Sequence, residues 1–295
     1  MPVTLHICQT DATVRMVYNG LGMDLPILKA TSSPTTQTLV RYFHQAESQW
    51  TAHLAEPTPA EFGTMWINPQ LARVRTANRM LDVALPPGMS PRQAFEAATA
   101  EFASQRSTCW QWVLNPSATE AQTRPMIEFL LSVGYAPRVT DILHLDRIPP
   151  WPEARAAEQL TIIPARASFR HARALHEQWA AAVGNEPQLA DAAMLHLDDP
   201  HYDALLALKQ GTAVAHVGVL AMGEIGVIQE LYVAAAFRGR HIGTAMMWRA
   251  LEICARSLFK HVFAGVAPDD AIAQHLFASL GFRRIGQFVT YDKPD

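Results

Sequence analysis

Residues Glu230 to Ala245, Glu-Leu-Tyr-Val-Ala-Ala-Ala-Phe-Arg-Gly-Arg-His-Ile-Gly-Thr-Ala, bring together the residue types that hold a phosphate group. An apolar strand containing Leu231-Tyr232-Val233 runs into a tight turn with Arg238, Gly239, Arg240, His241, Ile242 and Gly243, and Thr244 lies in the opening of an amphipathic helix. Backbone N–H groups at a helix start lack intrahelical acceptors and carry partial positive charge, so such a turn cradles a pyrophosphate without a dedicated side chain. Arg238 and Arg240 add fixed positive charge. Gly239 and Gly243 do not make Gly-x-Gly-x-x-Gly, which excludes a dinucleotide fingerprint, and a Walker loop is excluded by the lack of Gly-Lys-Ser/Thr.

The elements around this turn follow from periodicity. Past Gly243, the apolar residues Met247, Leu251, Cys254 and Leu258 recur at helical spacing, and Glu252 lies four residues before Arg256. Upstream, Leu160–Ile163 reads as a strand, 168–182 as a helix, a helical or loop segment reaches about 200, and strands follow near 203–209, 212–222 and 225–234. Downstream come an apolar strand, 262–266, a helix over 270–280 and closing strands to Tyr291. In that last helix Asp269 or Asp270 caps the N–H groups, Ala273, Leu276, Phe277 and Leu280 form the buried stripe, and Gly281 ends it with Phe282 folding back.

Strand alternation predicts that Val227, Gln229, Leu231 and Val233 share one face and Ile228, Glu230 and Tyr232 the other. Glu230 is the carboxylate within that strand's core segment. A local bulge would be needed to turn it inward; otherwise an ion pair with a nearby Arg accounts for it. His171, His176 and Trp179 lie on the 168–182 helix, where partly buried imidazoles on an amphipathic face are the simplest reading. In His196-Leu-Asp198-Asp199-Pro-His201-Tyr202-Asp203 the proline and paired aspartates mark a turn with its side chains in solvent, and no metal site is read from the chain, which lacks HExxH and zinc-type Cys/His spacing.

A chain of 295 residues with 49% hydrophobic content suits about two packed domains. Net charge of −3 gives no global attraction to nucleic acid or anionic membrane. Cys8, Cys109 and Cys254 are too few and too scattered for a disulfide framework, the amino terminus lacks a leader pattern, and no apolar run reaches membrane-spanning length. These features lead to the expectation of a cytoplasmic protein. Pro149, Pro150 and Pro152 interrupt both helix and strand and mark the domain boundary.

The first half echoes the end of the second. Trp110–Ser117 and Met126–Tyr135 place an apolar strand before a helix ending in Gly-aromatic, as Val262–Val266 and His275–Phe282 do, and a further strand is read over 137–146. The helix Pro91–Ser104, however, follows Leu85-Pro-Pro-Gly-Met-Ser90, whose prolines have no N–H to donate.

The turn at Arg238–Gly243, preceded by Leu231-Tyr232-Val233, resembles the acyl-CoA loop of the GNAT acetyltransferase superfamily, Arg/Gln-x-x-Gly-x-Gly/Ala, with His241 where that motif usually has its first glycine. Asp270 to Phe282 is similar to the family's second CoA motif; Asp270 stands where an Asn is frequent and Phe277 where a Tyr often protonates the departing thiolate. The order of elements from 160 to 295 resembles the GNAT core throughout. The resemblance implies an α/β (α+β) protein of two GNAT-like domains, each a mixed, mostly antiparallel sheet flanked by helices: a degenerate domain without a CoA loop over 1–148, a Pro-rich linker over 149–158, and a catalytic domain over 159–295.

By that resemblance, acetyl-CoA is the co-substrate. Its contacts fall on Leu231, Tyr232, Val233, Arg238, Gly239, Arg240, His241, Ile242, Gly243, Thr244, Asp270 and Phe277. An acetyl group passes to a primary amine of a small molecule or peptide by direct attack in a ternary complex, and the backbone N–H at Val233 or a neighbour polarises the thioester carbonyl. Family positions for the base map to Val227 and Gln229, neither of which accepts a proton at neutral pH; Glu230 is the carboxylate alternative, and a water chain to solvent is another. The departures at His241, Asp270 and Phe277 also leave open a non-catalytic acyl-CoA sensor or interaction scaffold. The acceptor and the oligomeric state are not legible.

Overall fold

A computed structural model of the chain describes residues 8–10, 13–15, 33–150, 160–184 and 186–294. Most of the expected linker, residues 151–158, lies outside the described residues. Residues 1–35 and 36–295 make separate units. In the first, β1 (Cys8–Thr10) and β2 (Thr13–Arg15) pair as an antiparallel hairpin.

The second unit runs α1 (Thr36–Ala52), β3 (Glu56–Ala60), β4 (Gly63–Ile67), β5 (Arg79–Val83), α2 (Pro91–Ser104), β6 (Gln111–Leu114), α3 (Glu120–Ser132) and β7 (Ala136–Leu145). It continues with β8 (Thr161–Pro164), α4 (Phe169–Val183), α5 (Pro187–His196), β9 (Tyr202–Lys209), β10 (Thr212–Met222) and β11 (Ile225–Val233). It closes with α6 (Ile242–Arg256), β12 (His261–Val266), α7 (Ala271–Ser279) and β13 (Arg283–Asp292). Among the described residues, no helix is long and apolar enough to cross a membrane.

The mixed α/β class expected from the sequence is observed, and the strands of the unit join in one sheet of order β3-β4-β5-β6-β13-β7-β12-β11-β10-β9-β8. Two pairings, β5 with β6 and β11 with β12, are parallel, and the others are antiparallel. Each parallel pair needs a crossover, which α2 and α6 supply. The centre of the sheet is an exchange. Strand β7 pairs with β12, Val266 opposite Asp141, while β13 reaches back to β6, Tyr291 opposite Trp112. β7 and β13 also pair with each other, from Arg283↔His144 to Asp292↔Ala136, with one irregularity at Ile285.

Helices cover both faces. Leu39, Phe43, Ala46 and Trp50 of α1 join Ala172 and Leu175 of α4 over Tyr202, Val227, Phe263 and Phe288. On the opposite face Met246, Met247, Ala250, Leu251 and Cys254 of α6 pack with Phe277 of α7 over Val217, Val219 and Ile228. α2 and α3 bury Ala94, Ala98, Phe102, Met126 and Leu130 against Met80, Trp112 and Tyr291. Cys109 and Cys254 are free and buried.

Candidate active site

Strand β11 breaks its own ladder twice, and the two breaks make the site. Its parallel pairing to β12 runs from Ile225↔His261 to Ile228↔Ala264; beyond that point β12 pairs with β7 while β11 stays with β10 as far as Val233. The sheet therefore opens a wedge beside Gln229–Val233.

The second break is a bulge. Gly218 faces Gln229 and His216 faces Tyr232, so Val217 alone spans the two residues Glu230 and Leu231. Glu230 takes up the extra residue with φ of 55°, a left-handed conformation that costs a non-glycine residue of order 1–3 kcal/mol and persists only where its surroundings enforce it. One inserted residue inverts the alternation. Val227 packs toward α1 and α4 and Ile228 toward α6, but past the bulge Tyr232 packs toward α1 and α4 while Leu231 and Val233 turn to the α6 side. The common face expected for Val227, Leu231 and Val233 is corrected accordingly.

The bulge places the half-buried Glu230 carboxylate against Tyr202 of β9, whose hydroxyl donates a 3.0 Å hydrogen bond to it. This hydroxyl, rather than an arginine, is the partner found for Glu230. Burial raises the Glu230 pKa from 4.5 to about 7, and the Tyr202 hydrogen bond, by favouring the charged form, holds it back. Tyr202 is fully buried and packs edge-on against Trp50 of α1, with ring centroids 4.9 Å apart. Its ring crosses Gly218, where a Cβ would come within 2.1 Å of the Tyr202 ring and hydroxyl.

Two imidazoles complete the cluster. His216 of β10 donates from Nδ1 to the Glu230 carbonyl at 3.2 Å, and its ring lies 4.6 Å from that of His176 on α4. Burial lowers the pKa of His216 to about 4 and of His176 to about 3, so both are neutral near pH 7. His176 also meets Trp179 edge-on. His171 pairs with Ser168 at the start of α4.

On the other side of the wedge stands α6. His241 is its N-cap in a left-handed conformation (φ 58°), without a side-chain cap, and the Ala245 N–H donates to the His241 carbonyl at 3.0 Å. The first N–H groups of a helix have no intrahelical acceptor, and with no side-chain cap here they suit an anion. Gly239 has φ of 73°, and a Cβ on Gly243 would lie 3.7 Å from both Leu276 and Val233, so the strand end, the helix start and α7 converge there. Arg238 donates from Nε to the Val233 carbonyl at 3.0 Å, and the Arg240 guanidinium lies over the Phe237 ring. Asp270 caps α7 through the Ala273 N–H, and Phe277, 4% exposed, packs edge-on against Phe282.

The equivalent start of α2 is built differently. Ser90 and Gln93 form a capping box, and Pro91 opens the helix, so its first-turn donors are satisfied by the chain itself. The preceding strand β5 nevertheless repeats the other device, an acidic residue in the left-handed region, Asp82 with φ of 57°.

The turn at 196–203 departs from its expected solvent exposure. His196 is buried and stacked on Trp50, with centroids 3.3 Å apart, and Asp199 is buried, accepting from the His201 backbone N–H at 2.8 Å. Aromatic cover from α1, distant in sequence, is what draws His196 inside. The parts that sequence reasoning missed, Tyr202, His216 and Gly218 around Glu230, come from three strand positions with no local spacing signal; only the topology brings them together.

Residues 167–282 match the model of the acetyltransferase (GNAT) family. This segment is a GNAT domain. The likeness of fold reaches beyond that segment: a GCN5-related N-acetyltransferase from Kribbella flavida is 14% identical, with a TM-score of 0.58 over 86% of this chain and 95% of that one. A conserved protein of unknown function from Staphylococcus epidermidis ATCC 12228, also 14% identical, has a TM-score of 0.56 over 81% of this chain and 95% of its own. None of the curated proteins matches the sequence. The GNAT segment contains α4, the bulged β11, the uncapped start of α6 and all of α7, the elements that frame the wedge.

Proposed function

We propose that this chain is a cytoplasmic, acetyl-CoA-dependent N-acetyltransferase acting on a primary amine of a small molecule or peptide. The observation that carries the reading is the wedge between β11 and β12, flanked on one side by the uncapped α6 start and on the other by the inward-turned Glu230 carboxylate. In this reading, the pyrophosphate rests on N–H groups between Arg238 and Thr244, with Arg238 and Arg240 as cationic flanks. Pantetheine lies along Leu231, Tyr232 and Val233, beside Asp270 and Leu276. The Val233 N–H or a neighbour freed by the wedge polarises the thioester carbonyl.

Glu230 is the general base. With a pKa of about 7 it is ionised in a large fraction of molecules near neutral pH while remaining basic enough to take a proton. The amine nitrogen attacks the thioester carbon, its proton passes to Glu230, and the C–S bond breaks to release CoA thiolate. Since a thiol has a pKa of about 8.5, the thiolate takes its proton from solvent, and Phe277 supplies none. Gln229 lies at the mouth of the wedge as a polar neighbour of the acetyl group.

The halves 1–148 and 159–295, joined by 149–158, are read as a tandem repeat of which the second performs the reaction. The first contributes Trp50, which holds Tyr202 and through it Glu230. Incubation with radiolabelled acetyl-CoA and a panel of amines tests the function: labelled amide and equimolar CoA are expected. Saturable acetyl-CoA binding with no transfer to any amine class identifies a binder and overturns the enzymatic reading.

A further inference from the structure

We propose that His176, His216 and Glu230 form a binding site for a divalent transition metal of the zinc class. One ligand atom from each of the three residues lies within 4.8 Å of the others. They come from three elements, α4, β10 and β11, so the site is fixed by the fold rather than by a flexible loop.

Two independent features aim the cluster at a ligand. His176 and His216 are 4% and 1% exposed, and the Nε2 atom of each is buried without a hydrogen-bond partner. Buried polar atoms are normally satisfied, and two facing orphans in one place call for an acceptor of their lone pairs. The tautomer of His216 is also set: Nδ1–H donates to the Glu230 carbonyl, which leaves Nε2 unprotonated. A backbone carbonyl on the far nitrogen is the usual way in which a metal-ligating imidazole is oriented, and Tyr202 orients the carboxylate in the same manner.

The donor set indicates the metal. Two imidazoles and one carboxylate suit zinc and its neighbours, with a fourth position open to water, whereas calcium and magnesium prefer all-oxygen sets. A tetrahedral zinc at about 2.0–2.1 Å from each donor holds them roughly 3.4 Å apart, so side-chain closure of about 1.4 Å or less completes the site. Metal binding uses the carboxylate lone pair that deprotonates the amine, so zinc inhibits acetyl transfer. That consequence rests on the function proposed above; the binding itself does not.

The test is titration of the full chain, stripped of metal with a chelator, with cobalt(II) as a spectroscopic probe and then zinc. One cobalt per chain, with the intense visible absorption of four-coordinate cobalt and displacement by zinc, is expected. Glu230→Gln and His176→Gln, each checked for native circular dichroism, should weaken binding at least about tenfold. Glu230→Gln changes a half-buried group at constant volume, so it keeps the test decisive if the histidine variant fails to fold. Absence of a saturable visible band, or equal affinity in the folded variants, overturns the site and assigns any binding to surface imidazoles such as His201. Zinc bound at the cluster with undiminished acetyl transfer leaves the metal site standing and removes Glu230 as base.

Discussion

The Tyr202 hydroxyl reaches the Glu230 carboxylate across β10, from β9 to β11, over the one position in that strand that lacks a side chain. Bulge, glycine and tyrosine thus act as one device. The bulge turns the carboxylate inward, Gly218 makes room for the ring, and the ring fixes the carboxylate and limits the rise of its pKa.

Replacing Tyr202 with Phe removes the hydrogen bond that favours the ionised carboxylate. The Glu230 pKa should rise further, by about one to two units, since a hydrogen bond to a charged group contributes about 1.5–3 kcal/mol and one unit is 1.36 kcal/mol. The acid limb of the rate profile then shifts to higher pH. A limb that stays in place would show that the two groups are not coupled in solution.

Gly218→Ala tests the close approach. A methyl group at 2.1 Å from a fully buried ring forces Tyr202 to move, and overpacking of this kind costs about 1–3 kcal/mol. Thermal unfolding should begin several degrees lower, at roughly 2–4 °C per kcal/mol for a chain of this class, with activity reduced together with stability. An unchanged melting temperature contradicts the packing described.

Gly243→Asp tests the phosphate cradle. A Cβ at that position meets Leu276 and Val233 at 3.7 Å, ordinary contact, so the substitution is tolerated sterically and acts through negative charge facing the bound pyrophosphate. Calorimetry should show acetyl-CoA affinity lost in a folded variant. Retained affinity places the pyrophosphate elsewhere.

The first half should bind no CoA, since the start of α2 is closed by Ser90, Gln93 and Pro91. Native mass spectrometry is expected to show one acetyl-CoA per chain; two equivalents would make that half an active repeat. Cleavage near Pro150 should leave a C-terminal fragment of low solubility, because it strips β7 from between β12 and β13 and exposes a strand edge.

Elements dominated by local signals were legible in the sequence. Pro91–Ser104 is helical as read, and α4 at Phe169–Val183 differs from the expected 168–182 by one residue at each end, because Ser168 and Gly184 terminate it. The uncapped α6 start was visible in its arginines and glycines. The exchange of β7 and β13 was not, since strand partners more than a hundred residues apart leave no periodic trace. Glu230 was identifiable as the strand's carboxylate, but the alternation placed Leu231 and Val233 with Val227; a bulge inverts that parity, and nothing local at Gln229-Glu230-Leu231 announces it. The His176–His216 pair joins a helix to a strand 40 positions on and has no sequence spacing of its own.

The central claim is that Glu230 takes the proton from the attacking amine, and the pH profile of kcat/KM tests it most directly. With a chelator present and an acceptor whose own amine titrates well below 7, the wild-type rate should fall tenfold per pH unit below about 7, because protonation removes the base. Glu230→Gln should lower the rate by roughly 10²–10⁴-fold and abolish that inflection. A glutamine variant that keeps both the wild-type rate and the inflection near 7 contradicts the account.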